Sequence, residues 1–123
     1  MRKSENIVKI KSFDFAIRMV RLYQHLNDKK KEFVMSKQCL RSGTSIGALI
    51  REAEYAQSKA DFVNKLSIAI KESNEVLYWL ELLFKTDYID DKMFESLKSN
   101  AEETLKLLTS IINTTKKNII KPI

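Results

Sequence analysis

Apolar residues recur at steps of three and four in four separate stretches of the chain, which is the spacing of one face of an α-helix. These stretches predict helices over about residues 7–26, 36–57, 59–85 and 91–115. No stretch alternates apolar and polar residues as a half-buried strand does. Four helices with short connections favour an all-α fold, an antiparallel up-down-up-down four-helix bundle that forms a single domain over residues 1–123.

The apolar face of the second predicted helix is narrow and built from small residues. Gly43 and Gly47 lie one helical turn apart on this face, between Leu40 and Ile50. Each glycine costs a helix interior about 1 kcal/mol relative to alanine. We interpret the pair as the place where a neighbouring helix comes close.

The first predicted helix carries two adjacent apolar stripes. One comprises Phe13, Ala16, Ile17, Val20 and Tyr23, and the other comprises Phe15, Met19, Leu22 and Leu26. Together they are wider than the sector of about 100° that a bundle helix usually buries. The width indicates either a helix at the centre of its own bundle or a helix that also contacts a second copy.

Two aromatic residues of the third predicted helix, Tyr78 and Trp79, lie beside an apolar face that is already complete without them. They either widen the core or line a subunit contact, where aromatic residues are enriched. The candidate oligomer interface therefore comprises Phe15, Met19, Leu22, Tyr78 and Trp79.

Short polar residues mark the predicted helix starts. Ser36 is a candidate N-cap for the second helix, and Ser58, with an acidic Asp61 three positions later, for the third. Asp90 or Asp91 is expected to cap the fourth. Residues 113–123, which include Pro122, are expected to form a fraying basic tail.

The net charge of +6 is unevenly distributed. Residues 1–41 contain eleven Lys and Arg against four Asp and Glu, whereas residues 42–115 contain eight against twelve. A basic first third on an acidic body is typical of proteins that bind a polyanion, although it also occurs in proteins that bind none. The candidate phosphate contacts are Arg18, Arg21, Lys29, Lys30, Lys31, Lys37 and Arg41.

Two of these cations, Lys37 and Arg41, lie near the start of the second helix, where positive charge opposes the helix dipole. A bound anion would explain them, and so would a salt bridge to an acidic residue on another helix.

The residue types that catalysis needs are scarce. The chain has one histidine, His25, and one cysteine, Cys39, which excludes an internal disulfide and a typical zinc site. The Glu-x-x-His pairs of a di-metal bundle and the glycine-rich phosphate loop are both missing. We therefore predict no enzyme activity, no metal and no cofactor. A lone Cys39 in a predicted core, and no apolar run long enough to span a bilayer, favour a cytoplasmic protein without membrane contact.

Several segments together resemble one known family, the four-helix-bundle proteins named after the 23S rRNA intervening sequence. The resemblance covers roughly residues 12–84 and rests on Ser12–Ala16, Gln38–Ala53, Ser58–Leu66, Ile68–Glu75 and Tyr78–Leu83. One departure is Leu49, because the family often has asparagine after its Ser-Ile-Gly-Ala run.

The resemblance implies a small bacterial bundle that assembles as a ring-like homopentamer. The family is similar to the accessory variability determinant of diversity-generating retroelements. That relative binds nucleic acid and a reverse transcriptase through a basic surface.

Two functional hypotheses follow from the charge pattern and the resemblance. The first is a non-catalytic oligomer that binds nucleic acid, structured RNA in particular, through a basic surface on the first two helices. Reversing the charge of Arg18 and Arg21 would then weaken binding without unfolding the protein. The alternative is a protein-interaction scaffold that docks a polymerase or reverse transcriptase.

Overall fold

The computed structural model describes residues 3–120, with side chains described through residue 118. Within this range the chain forms four helices and no strand. They are α1 (Lys3–Asp28), α2 (Met35–Glu54), α3 (Lys59–Lys85) and α4 (Asp91–Ile120). The predicted all-α four-helix fold is confirmed.

Each helix packs against the next one along the chain, and α4 packs against α1. The helices α1 and α4 are antiparallel. Arg18 of α1 contacts Asn100 of α4, whereas Lys11, earlier in α1, pairs with Glu103, later in α4. The antiparallel up-down-up-down order is therefore also present in the structure.

One hydrophobic core runs through the bundle, and α1 supplies it with only one of its two apolar stripes. Phe15, Met19 and Leu22 are 2%, 1% and 4% exposed, because the other helices of the same chain cover them. They cannot contact a second copy in this fold, so their prediction as interface residues is wrong. Leu49, the departure from the family pattern, packs half-buried against the core.

The helix starts follow the sequence signals at α3 and α4 but not at α2. The Ser58 hydroxyl accepts a hydrogen bond from the Asp61 N–H at 3.0 Å, and the Asp90 carboxylate accepts one from the Met93 N–H at 2.8 Å. At α2, Ser36 lies inside the helix and Val34 occupies the N-cap position. The prediction of Ser36 as N-cap is therefore wrong.

Three helix ends differ from the prediction by three residues or more. The helix α1 begins at Lys3, four residues early. The helix α2 ends at Glu54, three residues early, in a tight turn in which Tyr55 and Ala56 donate backbone hydrogen bonds to residues three positions earlier. The helix α4 continues to Ile120, so residues 113–120 are helical rather than an irregular tail. Lys121 and Pro122 lie outside the described residues.

Candidate nucleic-acid interface

The connection between α1 and α2, residues 29–34, concentrates positive charge at one end of the bundle. The side chains of Lys29, Lys30 and Lys31 are exposed there, as is that of Lys37 in the first turns of α2. The backbone of Lys31 has a φ angle of 54°, a left-handed conformation that turns the chain away from α1. We call Lys29, Lys30, Lys31 and Lys37 the loop cluster.

A buried carboxylate fixes this connection to the start of α2. The Glu32 side chain accepts hydrogen bonds from the backbone N–H groups of Val34, Met35 and Ser36 at 3.0, 2.8 and 2.7 Å. These groups have no partner inside the helix. The Ser36 hydroxyl in turn bonds to the Glu32 carbonyl oxygen and to Asn27 of α1. Glu32 therefore performs the capping role predicted for Ser36.

Two opposing effects act on the pKa of Glu32. Burial favours the neutral acid, but the hydrogen bonds from the backbone of Ser36, Met35 and Val34 and from the Ser36 side chain favour the carboxylate. The hydrogen bonds together outweigh burial, and the pKa of Glu32 lies below its ordinary value of 4.5. At neutral pH this carboxylate occupies the N-terminus of α2 and accepts its free backbone N–H groups, so an anion bound near Lys37 would contact the lysine side chain rather than these N–H groups.

The four charges of the loop cluster are unpaired. Among the residues that the structure describes, no carboxylate lies in salt-bridge distance of any of its four ammonium groups. Arg21, about two turns before the end of α1, bonds only to the Gln24 side chain, at 3.2 Å.

Arg41 contacts α3. Its guanidinium forms salt bridges to Glu72, at 3.1 Å, and to Glu75, and its Nε donates to Gln38. Of the two explanations given for a cation at this place, the salt bridge to another helix is therefore confirmed for Arg41. Its charge is balanced by two carboxylates.

Arg18 contacts α4 instead. Its guanidinium donates hydrogen bonds to the Asn100 side chain and, at 3.0 Å, to the Ser96 hydroxyl. Because α4 and α3 flank α1 and α2 on opposite sides of the square, Arg18 and Arg41 lie on opposite sides of the bundle. The predicted basic surface is therefore not continuous, and among the described residues the loop cluster and Arg21 are the part of it without a side-chain hydrogen bond or ion pair to another helix.

The connection between α1 and α2 also exposes two apolar side chains that the sequence analysis did not single out. Phe33 is 58% exposed and Val34 is 75% exposed. Both lie between two helices, where helical periodicity gives no information. The only available signal was an aromatic residue within four positions of several lysines.

A second exposed apolar surface follows the outer side of α1. It consists of Phe13, Ile17 and Val20 from the other apolar stripe of α1, whose Ala16 and Tyr23 are half-buried, together with Ile10 about one turn earlier. We call these four residues the outer α1 stripe. Phe13 lies under the guanidinium of Arg51 at 5.0 Å, so α2 borders the stripe on one side.

The aromatic residues predicted at the interface have unequal exposure. Tyr78 on α3 is 60% exposed, which is compatible with a subunit contact. Trp79 is half-buried, lies edge-on to Tyr78 and donates a hydrogen bond to Glu75 at 3.4 Å. Whether either residue contacts a second copy stays a prediction.

Reactive groups are not assembled near this surface. Burial, followed by the negative charge of Glu32, raises the pKa of the Cys39 thiol to about 12, which keeps it neutral. Among residues 3–118, no group of three or more His, Cys, Asp and Glu side chains is placed to hold a metal ion. No helix in the described part of the chain is long and apolar enough to cross a bilayer.

The fold and this surface define a small all-helical bundle with a cluster of unpaired lysines at the α1–α2 connection. The sequence profile of the 23S rRNA-intervening sequence proteins matches residues 4–110, and the chain belongs to this family. A solved structure of a protein of unknown function from the S23 ribosomal protein family of Bacteroides thetaiotaomicron is similar to it, with 61% identity and a TM-score of 0.89. The match covers 89% of this chain and 98% of that one. No functionally curated protein matches the chain.

Proposed function

We propose that the protein is a non-catalytic RNA-binding protein whose loop cluster contacts phosphate groups. One observation carries the proposal: four exposed lysines at one end of the bundle have no carboxylate partner in the described chain, whereas Arg18 and Arg41 are engaged by other helices. Unpaired surface cations repel each other, and a bound polyanion removes that repulsion.

Lysine favours contact with phosphates over the reading of base sequence. Its ammonium is a point charge on a flexible stem, and phosphate contacts fix the position of a nucleic acid without distinguishing its sequence. RNA is preferred to DNA as the ligand because the family is named for an insertion in ribosomal RNA. The binding energy would come chiefly from the release of counterions.

Self-association would strengthen such binding. Four lysines on one subunit give weak binding, but a symmetric oligomer repeats the loop cluster and raises the local concentration of sites along one RNA. The outer α1 stripe is the apolar surface best suited to the subunit contact, since it is contiguous and belongs to no core. The ring-like pentamer that the family resemblance implies is part of this proposal.

Two charge-matched variants test the proposal. In the first, Lys29, Lys30 and Lys37 are changed to glutamine; Lys31 is kept because of its left-handed backbone. In the second, Lys59, Lys116 and Lys117, exposed at the opposite end of the bundle, are changed in the same way. Fluorescence anisotropy with a labelled RNA hairpin should show at least tenfold weaker binding for the first variant only. Equal affinities of the two variants would contradict the proposal.

The outer α1 stripe also supports a second candidate function, a scaffold that docks a polymerase-type protein. The two functions predict different effects of nuclease treatment on a bound protein partner. A protein partner that stays bound to the purified, nuclease-treated chain and is released by Ile17→Lys would favour the scaffold. A partner lost on nuclease treatment would favour RNA binding.

A further inference from the structure

We propose that Phe33 is a stacking platform for an unpaired base, so that the loop cluster binds single-stranded segments of RNA in preference to duplex. This inference rests on the proposed RNA binding and adds the kind of nucleotide that is bound.

The Phe33 ring is exposed without a structural reason. It is 58% exposed, and among the described residues it neither packs against another ring nor lies under a cation. Phenylalanine normally buries its large apolar surface in a core or an interface. The ring therefore has a free face, which is what a base requires for stacking.

The backbone that carries Phe33 is held in place on both sides. Glu32, immediately before it, is 7% exposed and accepts the N–H of Val34, immediately after it, at 3.0 Å. The Glu32 N–H in turn donates to the carbonyl of Leu26 in α1 at 3.0 Å. Little backbone entropy would be lost when a ligand binds, because the loop is already ordered.

The charges around the ring fit a nucleic acid strand. Lys29, Lys30 and Lys31 precede Phe33 by two to four residues, and Lys37 follows by four. The one acidic residue among them, Glu32, is buried and turned into the N-terminus of α2. An aromatic face bordered by free cations is the arrangement by which proteins hold single strands without sequence preference.

A duplex and a protein fit this tip less well. In duplex RNA the bases are stacked on each other and the ring cannot reach a base face, whereas loops and single strands expose theirs. A stable protein contact needs about 800 Å² on each partner. Among the described residues, the large exposed apolar side chains of the α1–α2 connection are those of Phe33 and Val34.

The test compares three RNA probes: a 12-nucleotide single strand, the same strand with abasic positions, and the duplex. The Phe33→Ala variant should bind the base-bearing strand about 5- to 150-fold more weakly, the range expected for one stacked base. It should bind the abasic strand and the duplex as the wild type does. Phe33→Trp should retain binding, and Val34→Ala is the control for lost apolar area.

The outcomes separate this inference from the proposed function. If the wild type binds the three probes equally and Phe33→Ala changes none of them, stacking is overturned while RNA binding stands. If Phe33→Ala weakens binding to the abasic strand as much as to the base-bearing strand, the ring does not act by stacking. If the wild type binds no probe, the proposed function itself fails.

Discussion

Gly43 of α2 lies directly against Met19 of α1: a Cβ atom on Gly43 would be 2.7 Å from the Met19 sulfur and 3.3 Å from its Cβ. No side chain fits there without movement of Met19, which is 1% exposed. The small-residue face of α2 is thus a place where α1 comes close, as its pattern predicted.

The two glycines of this face should respond oppositely to alanine. Gly43→Ala should destabilise the protein by about 1 kcal/mol, because overpacking of about 1–3 kcal/mol exceeds the gain of about 1 kcal/mol in helix propensity. Gly47→Ala should stabilise it by up to about 1 kcal/mol, because its Cβ would meet Ser12 at an ordinary 3.4 Å. Urea unfolding of both variants measures the difference. A Gly43→Ala variant more stable than the wild type would contradict the close contact.

The cap formed by Glu32 should depend on pH. Since its pKa is lowered in the folded protein, the stability that it contributes is present above about pH 4.5 and is lost as the pH falls through the folded pKa. Glu32→Gln should cost about 1 kcal/mol at pH 7, as the loss of a good cap does. The difference in the free energy of unfolding between wild type and variant should become smaller at acidic pH. Thermal unfolding from pH 7 to pH 3 measures it, and a gap that does not change with pH would rule out the charged cap.

Arg18 and Arg21 should not behave alike, although both were predicted to bind phosphate. Arg18 holds Ser96 and Asn100 of α4, so Arg18→Gln should lower the free energy of unfolding by about 1 kcal/mol. Arg21 bonds only within its own helix, so Arg21→Gln should leave stability unchanged. Chemical denaturation of the two variants tests this. Equal losses, or a loss only for Arg21→Gln, would contradict the assignment of Arg18 to the α1–α4 contact.

The subunit contact should involve the outer α1 stripe. A lysine at Ile17, which is 44% exposed, should place a charge in an apolar interface and reduce the mass measured by light scattering. Tyr78→Lys is the matched variant on α3 and decides whether the predicted aromatic surface takes part. A multimer that persists in both variants would remove both surfaces from the interface. If the wild-type protein is a monomer, repetition of the loop cluster in an oligomer does not contribute to RNA affinity.

Helical periodicity predicted what depends on local pattern: four helices, the bounds of α3, and the close approach at Gly43. It could not decide which of two adjacent stripes on α1 faces the core, because both have the same spacing and similar residues. Phe15, Met19 and Leu22 were assigned to the interface for this reason, whereas Phe13, Ile17 and Val20 of the adjacent stripe are the exposed residues.

The candidate site was harder to predict because charge pattern does not reveal pairing. Lys37 and Arg41 are one turn apart, but only Arg41 reaches carboxylates, and these lie more than thirty residues later on α3. Phe33 and the capping role of Glu32 depend on the path of a loop, which has no period to follow. Whether a cation is free or paired depends on residues that are distant in the sequence and come close only in the folded protein.

The salt dependence of RNA affinity tests the central claim most directly. The logarithm of the association constant falls linearly with the logarithm of salt concentration, by about 0.7–0.9 for each phosphate that a cation neutralises. The Lys29, Lys30 and Lys37 triple variant should therefore show a slope about 2 to 3 units shallower than that of the wild type. The triple variant at Lys59, Lys116 and Lys117 should keep the wild-type slope. Equal slopes for the wild type and the loop variant would contradict phosphate binding by the loop cluster.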